Sequence, residues 1–254
     1  MTSTLNPKKP VLKMDNVCKN FGGVIAADKI ALELYGGEIF GLIGPNGAGK
    51  TTLLNLITGI YQSDDGEMFL IDKNITKVPT HRRARLGIAR TFQHPRLLNR
   101  CDIKTNILMG SDLANKRKIK GGKLEEDMNM LLKCAGLQNV NLSDSIEKLS
   151  YGQQKMLEIV RALLCEPAVL LLDEPAAGLN TKEMDYIVAL IKVAVQKDIA
   201  VLLIEHAMDL VMGICDKLTV LNFGHQIATG TPTEIQSNEE VIKAYLGGSC
   251  NVKS

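Results

Sequence analysis

Short apolar runs alternate along the chain with longer segments of helical spacing. Residues 39–43, 169–172 and 200–204 are continuous apolar runs of strand length, which is typical of strands buried on both faces. The clearest helical pattern covers residues 151–164, where the apolar side chains fall on one face. This alternation predicts an α/β fold with a largely parallel sheet.

Further elements are predicted around these runs. Residues 11–17, 31–35 and 66–71 have strand patterns, and residues 217–223 and 226–229 predict a hairpin around a glycine. Helices are predicted over residues 50–60, 181–197 and 238–246. We find no internal repeat.

The middle of the chain has a different character. From about residue 99 to 149 strand patterns disappear, and residues 104–109 and 124–134 predict helices on either side of a basic loop at 116–123. A run of charge between helices is usually a solvated surface. We interpret this part of the chain as a helical insert or subdomain.

Composition and charge exclude several classes of protein. Apolar residues make up 45% of the chain, and the net charge of +2 gives no electrostatic case for nucleic-acid binding. The six cysteines are scattered singly, which predicts small core residues in a reducing compartment and not a disulfide frame or zinc site. No signal-peptide pattern and no run of about 18 apolar residues occurs, so we expect a soluble protein that meets membranes only through a partner.

The sharpest local motif is a phosphate-binding loop, GxxxxGK[ST], between a predicted strand and a predicted helix. It comprises, with the threonine that follows, Gly44, Pro45, Asn46, Gly47, Ala48, Gly49, Lys50, Thr51 and Thr52. Its glycines let backbone N–H groups surround a polyanion, and the helix adds its positive N-terminal end. Lys50 supplies a charge for the β- and γ-phosphates, and the Thr51 hydroxyl can coordinate Mg²⁺. The motif predicts nucleotide binding.

Two buried strands end in polar residues that suit catalysis. Asp173 and Glu174 follow the run 169–172, and adjacent strand residues point to opposite sides. Asp173 therefore suits the metal, and Glu174 suits a base facing a water on the γ-phosphate. His206 ends another core strand at the edge where α/β sheets bind ligands, although a lone histidine has a structural role at least as often.

Taken together, these elements resemble the ABC ATPase family over about residues 11–246. The distinguishing stretch is 149–153, similar to the LSGGQ signature, which opens a helix and offers a second anion-binding N-terminus. The resemblance implies that Ser150, Gly152 and Gln153 close over the ATP held by the phosphate-binding loop of a second subunit.

The resemblance assigns further residues. Phe21 takes the place of the aromatic that stacks on adenine, with an ordinary core phenylalanine as the alternative. Gln93 matches the Q-loop glutamine that touches Mg²⁺ and water and senses the membrane partner, and His206 matches the switch histidine. The catalytic set is then Glu174, His206, Gln93 and Lys50, and the metal set is Thr51, Gln93 and Asp173. Two positions depart from the family pattern: Tyr151 replaces a glycine of the signature, and Asn180 replaces the usual aspartate of the D-loop.

Fold and partners follow from the same resemblance. It implies one ABC ATPase domain at 11–247, with a small N-terminal antiparallel β part, a helical subdomain at about 99–160 and flexible tails at 1–10 and 248–254. ATP and Mg²⁺ are the expected cofactors. The expected partners are a membrane permease, a second ATPase subunit and, indirectly, an external solute-binding protein. The protein would lie in the cytoplasm against the membrane.

A narrower likeness is to the ATP-binding subunits of branched-chain amino-acid importers. It depends on the stretches 87–93, 149–154, 173–180, 204–206, 211–213 and 241–247. Urea and amide importers and lipopolysaccharide-export ATPases share much of this pattern. Two other classes of protein agree less well with the sequence. An ABC ATPase of translation or DNA repair would usually carry two cassettes or a long coiled coil, and a kinase or GTPase would not need the signature.

Overall fold

One mixed sheet organises the chain in the computed structural model, which describes residues 8–115 and 121–246. The strands within those residues are β1 (Leu12–Phe21), β2 (Val24–Leu34), β3 (Ile39–Ile43), β4 (Asp65–Leu70), β5 (Lys73–Asn74), β6 (Ile88–Arg90), β7 (Val169–Asp173), β8 (Ala200–Ile204), β9 (Lys217–Asn222) and β10 (His225–Gly230). Their order across the sheet is β5-β4-β1-β2-β10-β9-β3-β8-β7-β6.

Helices cover both faces of this sheet. They are α1 (Lys50–Thr58), α2 (Thr80–Leu86), α3 (Ile103–Asn115), α4 (Gly121–Cys134), α5 (Tyr151–Leu164), α6 (Thr181–Gln196), α7 (Met208–Ile214), α8 (Pro232–Gln236) and α9 (Glu239–Leu246), with a short 3₁₀ turn at Ile146–Lys148. Among the described residues, none of them has the length and apolar character needed to cross a bilayer.

The central strands are parallel, as the sequence predicts. Leu42 on β3 lies between Ile204 on β8 and Thr219 on β9, and β8 continues the parallel pairing to β7 and then β6. Every residue of β3, β7 and β8 is buried. Because the strands are parallel, their carboxyl ends meet at one edge of the sheet, which brings Gly44 and Asp173 to the same side of the molecule as the end of β8.

An antiparallel part, also predicted, extends the sheet at its other side. Strands β1, β2, β4 and β5 pair antiparallel, and the predicted hairpin forms from β9 and β10. However, β1 and β2 are longer than the predicted runs 11–17 and 31–35. Register shifts between Met14 and Asn20 interrupt the alternation of side chains, because a bulge breaks the period of two on which the prediction depends.

The helical middle of the chain differs from the prediction in its boundaries. Helix α3 continues to Asn115, well beyond the predicted 104–109, and α4 already begins at Gly121, so the end of the predicted loop is helical. Residues 116–120 of that loop lie outside the described residues. The short elements α2, β6, α7 and α8 were not predicted, because three to seven residues are too few to establish a period.

Two apolar clusters fill the space on either side of the sheet. Helices α5 and α6 pack on one face against Leu170 and Leu172, while α1 packs on the other against Val169 and Leu171. Alternate residues of one strand thus serve opposite layers. The prediction that the cysteines are core residues is wrong for most of them. Of the five described, only Cys215 is buried, and burial raises its pKa to about 12.

The predicted tails lie mostly outside the described residues, which begin at Lys8 and end at Leu246. Lys8 itself donates a hydrogen bond to the Gly36 carbonyl and lies 3.6 Å from an Asp198 carboxylate oxygen. The first described residue is therefore held against the turn that precedes β3.

Candidate functional site

The phosphate-binding loop joins β3 to α1 with the backbone that its motif requires. Gly44 and Gly49 have φ angles of 151° and 105°, in the region that favours glycine. A side chain would also collide there: a Cβ would lie 2.2 Å from the Leu221 carbonyl oxygen at Gly44 and 2.4 Å from that of Ala26 at Gly49. The neighbouring elements thus fix the shape of the loop at both ends.

The side chain of Lys50 folds back onto the phosphate-binding loop. Its Nζ donates hydrogen bonds to the carbonyls of Gly44 at 2.6 Å and Pro45 at 2.9 Å. Burial lowers the pKa of Lys50, and the charges of Glu174 and Asp173 oppose that shift. Other residues of the loop and helix start are accessible: Asn46, Gly47 and Thr51 are exposed, and Thr52 is half-buried. This arrangement presents a cation and backbone donors to an anion.

Phe21 lies at the end of β1 with 41% of its surface exposed, which contradicts the alternative of a core phenylalanine. Its ring meets Tyr61 edge to face at a centroid distance of 5.1 Å, and Lys19 Nζ lies 5.2 Å from its centroid. A supported, accessible aromatic ring suits stacking on a nucleobase.

Three of the predicted catalytic side chains meet at one carboxylate. Gln93 Nε2 donates to Glu174 Oε2 at 2.8 Å, and His206 Nε2 lies 3.0 Å from Glu174 Oε1. Glu174 has a φ of 47°, uncommon for a residue with a side chain, and its N–H donates to the Ile204 carbonyl. The end of β7 is thereby bound to the end of β8. Asp173 belongs to the buried β7 instead and pairs with Arg90 at 2.9 Å.

The signature residues lie at the start of α5. Ser150 caps this helix through a capping box: its Oγ accepts from the Gln153 N–H, and Gln153 Oε1 accepts from the Ser150 N–H. Gly152 is buried, and a Cβ there would lie 2.1 Å from Glu183 Oε1. Within the described chain, no hydrogen bond connects these residues to the phosphate-binding loop. The two predicted anion sites thus belong to different elements of one subunit, at the start of α1 and at the start of α5.

Sequence reasoning missed several buried charges around this site. Lys155 Nζ donates to the Glu174 carbonyl at 2.7 Å, and Glu158 accepts from the N–H groups of Phe92 and Arg96. Burial raises the pKa of Glu158, while those two hydrogen bonds and nearby cations lower it. Neither charge lies on the apolar face of α5 that the sequence shows, so the helical pattern gave no signal of their burial.

A buried glutamate also stabilises the turn after β7 by accepting hydrogen bonds. Glu205 accepts hydrogen bonds from the N–H groups of Ala176 at 2.6 Å and His206 at 3.0 Å. It thus holds together the turns that carry Glu174 and His206.

The two departures from the family pattern have structural explanations. The Tyr151 hydroxyl donates to the Gln93 carbonyl at 3.0 Å, which joins the signature to the loop after β6. Asn180 caps α6 in a capping box with Glu183. Asparagine and aspartate are about equally good at this position, so the replacement keeps the helix cap.

The oxygen donors present suit Mg²⁺. The described residues contain no cluster of three His, Cys, Asp or Glu side chains that could hold a metal by itself. Mg²⁺ usually takes one or two protein oxygens and completes its shell with phosphates and water. The Asp173 carboxylate and the exposed Thr51 hydroxyl, beside a phosphate-binding loop, fit that requirement.

Comparisons with known proteins agree with this geometry. A profile described as "ABC transporter" matches residues 27–177, and one described as "Branched-chain amino acid ATP-binding cassette transporter" matches residues 225–250. The high-affinity branched-chain amino acid transport ATP-binding protein LivG of Escherichia coli K12 is 40% identical, and BraF of Pseudomonas aeruginosa is 41% identical. Each alignment covers 94% of this chain and 98% of the relative.

A solved structure shows the same fold. The crystal structure of the ADP conformation of MJ1267, an ATP-binding cassette of an ABC transporter, superposes with a TM-score of 0.81 at 31% identity. The match covers 94% of this chain and 99% of that one. The chain therefore belongs to the ABC transporter family, as an ATP-binding, ATP-hydrolysing subunit.

Proposed function

We propose that this subunit powers the import of branched-chain amino acids through a membrane permease. The observation that carries the proposal is the likeness to LivG and BraF over nearly the whole chain. It extends into the C-terminal segment 225–250, which a profile of branched-chain amino acid transporters matches. The ATPase would touch the permease and not the solute, so its sequence reflects the cargo only through kinship.

Hydrolysis at the site would depend mainly on positioning and electrostatics. Water attacks the γ-phosphorus of ATP as the bond to the ADP oxygen breaks, and Glu174 accepts the proton. Gln93 and His206, each hydrogen-bonded to Glu174, orient its carboxylate. Lys50 and the backbone N–H groups of its loop hold the phosphate charge. Asp173, Thr51 and Gln93 would hold Mg²⁺, which would neutralise further charge on the phosphates.

The separation of the two anion sites supports a head-to-tail dimer. Ser150 is exposed at the N-terminus of α5, and a helix N-terminus favours an anion. In the dimer, Ser150, Gly152 and Gln153 of each subunit would complete the ATP site of its partner. The second subunit is either a copy of this chain or a paralogue.

The permease would dock beside Gln93, which binds Glu174 directly. Residues 95–98 follow this glutamine, and Leu98 is 42% exposed. Through this contact the subunit would lie on the cytoplasmic face of the membrane. A solute-binding protein would act on the other side, without contacting this chain.

Uptake of labelled solutes tests the cargo. Cells that lack this subunit should lose uptake of leucine, isoleucine and valine, and the wild-type gene should restore it. A Glu174→Gln gene should not. Unchanged uptake of all three with loss of urea or amide uptake would refute the branched-chain assignment. An export function would leave all these uptakes intact.

A further inference from the structure

The carboxylate of Asp173 is bound on one side only. Arg90 Nη2 donates to Asp173 Oδ2 at 2.9 Å, and the two side chains are 7% and 10% exposed. No hydrogen bond to Asp173 Oδ1 occurs within residues 8–115 and 121–246. One oxygen is therefore held by protein, and the other is available to a ligand.

Arg90 is itself held by a second partner. Its Nη1 donates to Asn55 Oδ1 at 2.7 Å, and its guanidinium carbon lies 4.8 Å from the centre of the Phe92 ring. Asn55 is on α1, one turn after Thr51, so the two residues share a face of that helix. The planar guanidinium group thus connects α1, the helix after the phosphate-binding loop, with the end of β7.

The chemistry of this pair favours fixed geometry. A guanidinium is always charged, and its donors have a rigid spacing that an ammonium group lacks. A buried carboxylate without such a partner would be free to rotate and would be costly to keep charged. In metal sites, carboxylate ligands are commonly oriented by hydrogen bonds to their other oxygen.

We infer that Arg90 is a positioning residue that fixes Asp173 so that its Oδ1 faces Mg²⁺ at the phosphates. This inference rests on the proposed metal-binding role of Asp173. Arg90 acts through Asp173 and does not touch the nucleotide. Arg90 lies three residues before Gln93, so the residues that bind Asp173 and Glu174 belong to one short piece of chain.

The Mg²⁺ dependence of nucleotide binding tests the inference without relying on hydrolysis. Binding of a fluorescent ATP analogue to the full-length subunit is measured in EDTA and at rising Mg²⁺. Arg90→Met should raise the Mg²⁺ midpoint, the Mg²⁺ concentration that gives half of the maximal effect on nucleotide binding, about tenfold or more. Nucleotide binding in EDTA should not change. Arg96→Met is the matched control, because Arg96 lies 4.1 Å from the centre of the same Phe92 ring and forms no ion pair with Asp173. Its Mg²⁺ dependence should equal that of the wild type.

Further variants separate the outcomes. Arg90→Lys keeps the charge but cannot reach both partners, so it should give a smaller rise in the Mg²⁺ midpoint. It replaces Arg90→Met as the test variant if Arg90→Met does not fold. An unchanged midpoint with only a lower melting temperature would make Arg90 a structural residue and overturn the inference. If Asp173→Asn also leaves the midpoint unchanged, the metal role of Asp173 fails with it. If Asp173→Asn raises the midpoint and the Arg90 variants do not, only the positioning role fails.

Discussion

Gln93 donates its side-chain N–H to Glu174 at 2.8 Å, while its backbone carbonyl accepts from the Tyr151 hydroxyl at 3.0 Å. One residue thus connects the carboxylate at the end of β7 with the start of the signature helix. The loop after β6 is therefore connected to each of these two places by one hydrogen bond of Gln93. The proposed docking segment at 95–98 belongs to that loop.

Charge at Leu98 tests this docking segment. Leu98→Glu should reduce permease-stimulated hydrolysis and transport, because a carboxylate would replace an exposed apolar side chain in the proposed contact. Basal hydrolysis by the isolated subunit should stay nearly unchanged. Ile242→Glu is a matched control on α9, since Ile242 is similarly exposed at 43%. Full transport by Leu98→Glu would show that the permease docks elsewhere. The half-buried Leu97 packs on the core, so a charge there would also affect folding.

Lys50→Ala tests the phosphate-binding loop. The variant loses the ammonium that we propose faces the β- and γ-phosphates. The free energy of ATP binding should therefore weaken by about 1.5–3 kcal/mol, the usual contribution of a charged hydrogen bond. Adenosine binding should not change. Calorimetric titration with both ligands measures the difference. Equal affinity of the variant and the wild type for ATP would remove Lys50 from the site.

Phe21→Ala tests stacking on the base. Aromatic stacking contributes about 1–3 kcal/mol per base and tolerates any base, so ATP, ADP and GTP should weaken together. Because Phe21 is exposed, the melting temperature of the ligand-free protein should change little. Selective loss of ATP with GTP binding intact would contradict simple stacking.

Arg83 is a buried cation that the sequence patterns did not identify. It donates to the carbonyls of Val78, Leu56, Ile57 and Thr76 at 2.6–3.0 Å. Burial lowers its pKa to about 10, so it stays charged at neutral pH. Arg83→Met should cost at least about 3 kcal/mol of unfolding free energy, because several buried carbonyls lose their donor. Urea denaturation measures this, with the exposed Arg82→Met as the control. Equal stabilities would show that the carbonyls find other partners.

The parts of the fold that the sequence predicted share one property. Strands β3, β7 and β8 are buried on both faces, so each leaves an uninterrupted apolar run, and the polar residues at their ends stand out. Glu174 and His206 could be found this way, and Lys50 could be found from the phosphate-binding motif that follows β3. The α/β class with an antiparallel extension is confirmed.

The parts that escaped prediction depend on contacts between distant residues. Arg90 and Asp173 are 83 positions apart, and Arg83 lies 27 positions from Leu56. No local pattern marks an arginine whose partner is set by sheet pairing between β6 and β7. The first half of β2 was missed for a different reason, since register shifts in its pairing with β1 remove the alternation.

The measurement that tests the account most directly is phosphate release by the purified subunit and by its Glu174→Gln variant. The amide keeps the shape of the side chain but cannot accept the proton of the attacking water. ATP affinity should therefore be retained, while release falls by about 10²–10⁴-fold, the usual contribution of a positioned base. ATP-bound dimers of the variant should accumulate, as light scattering would show. Phosphate release by the variant at a rate near that of the wild type would contradict the account, because Glu174 would then not be the base.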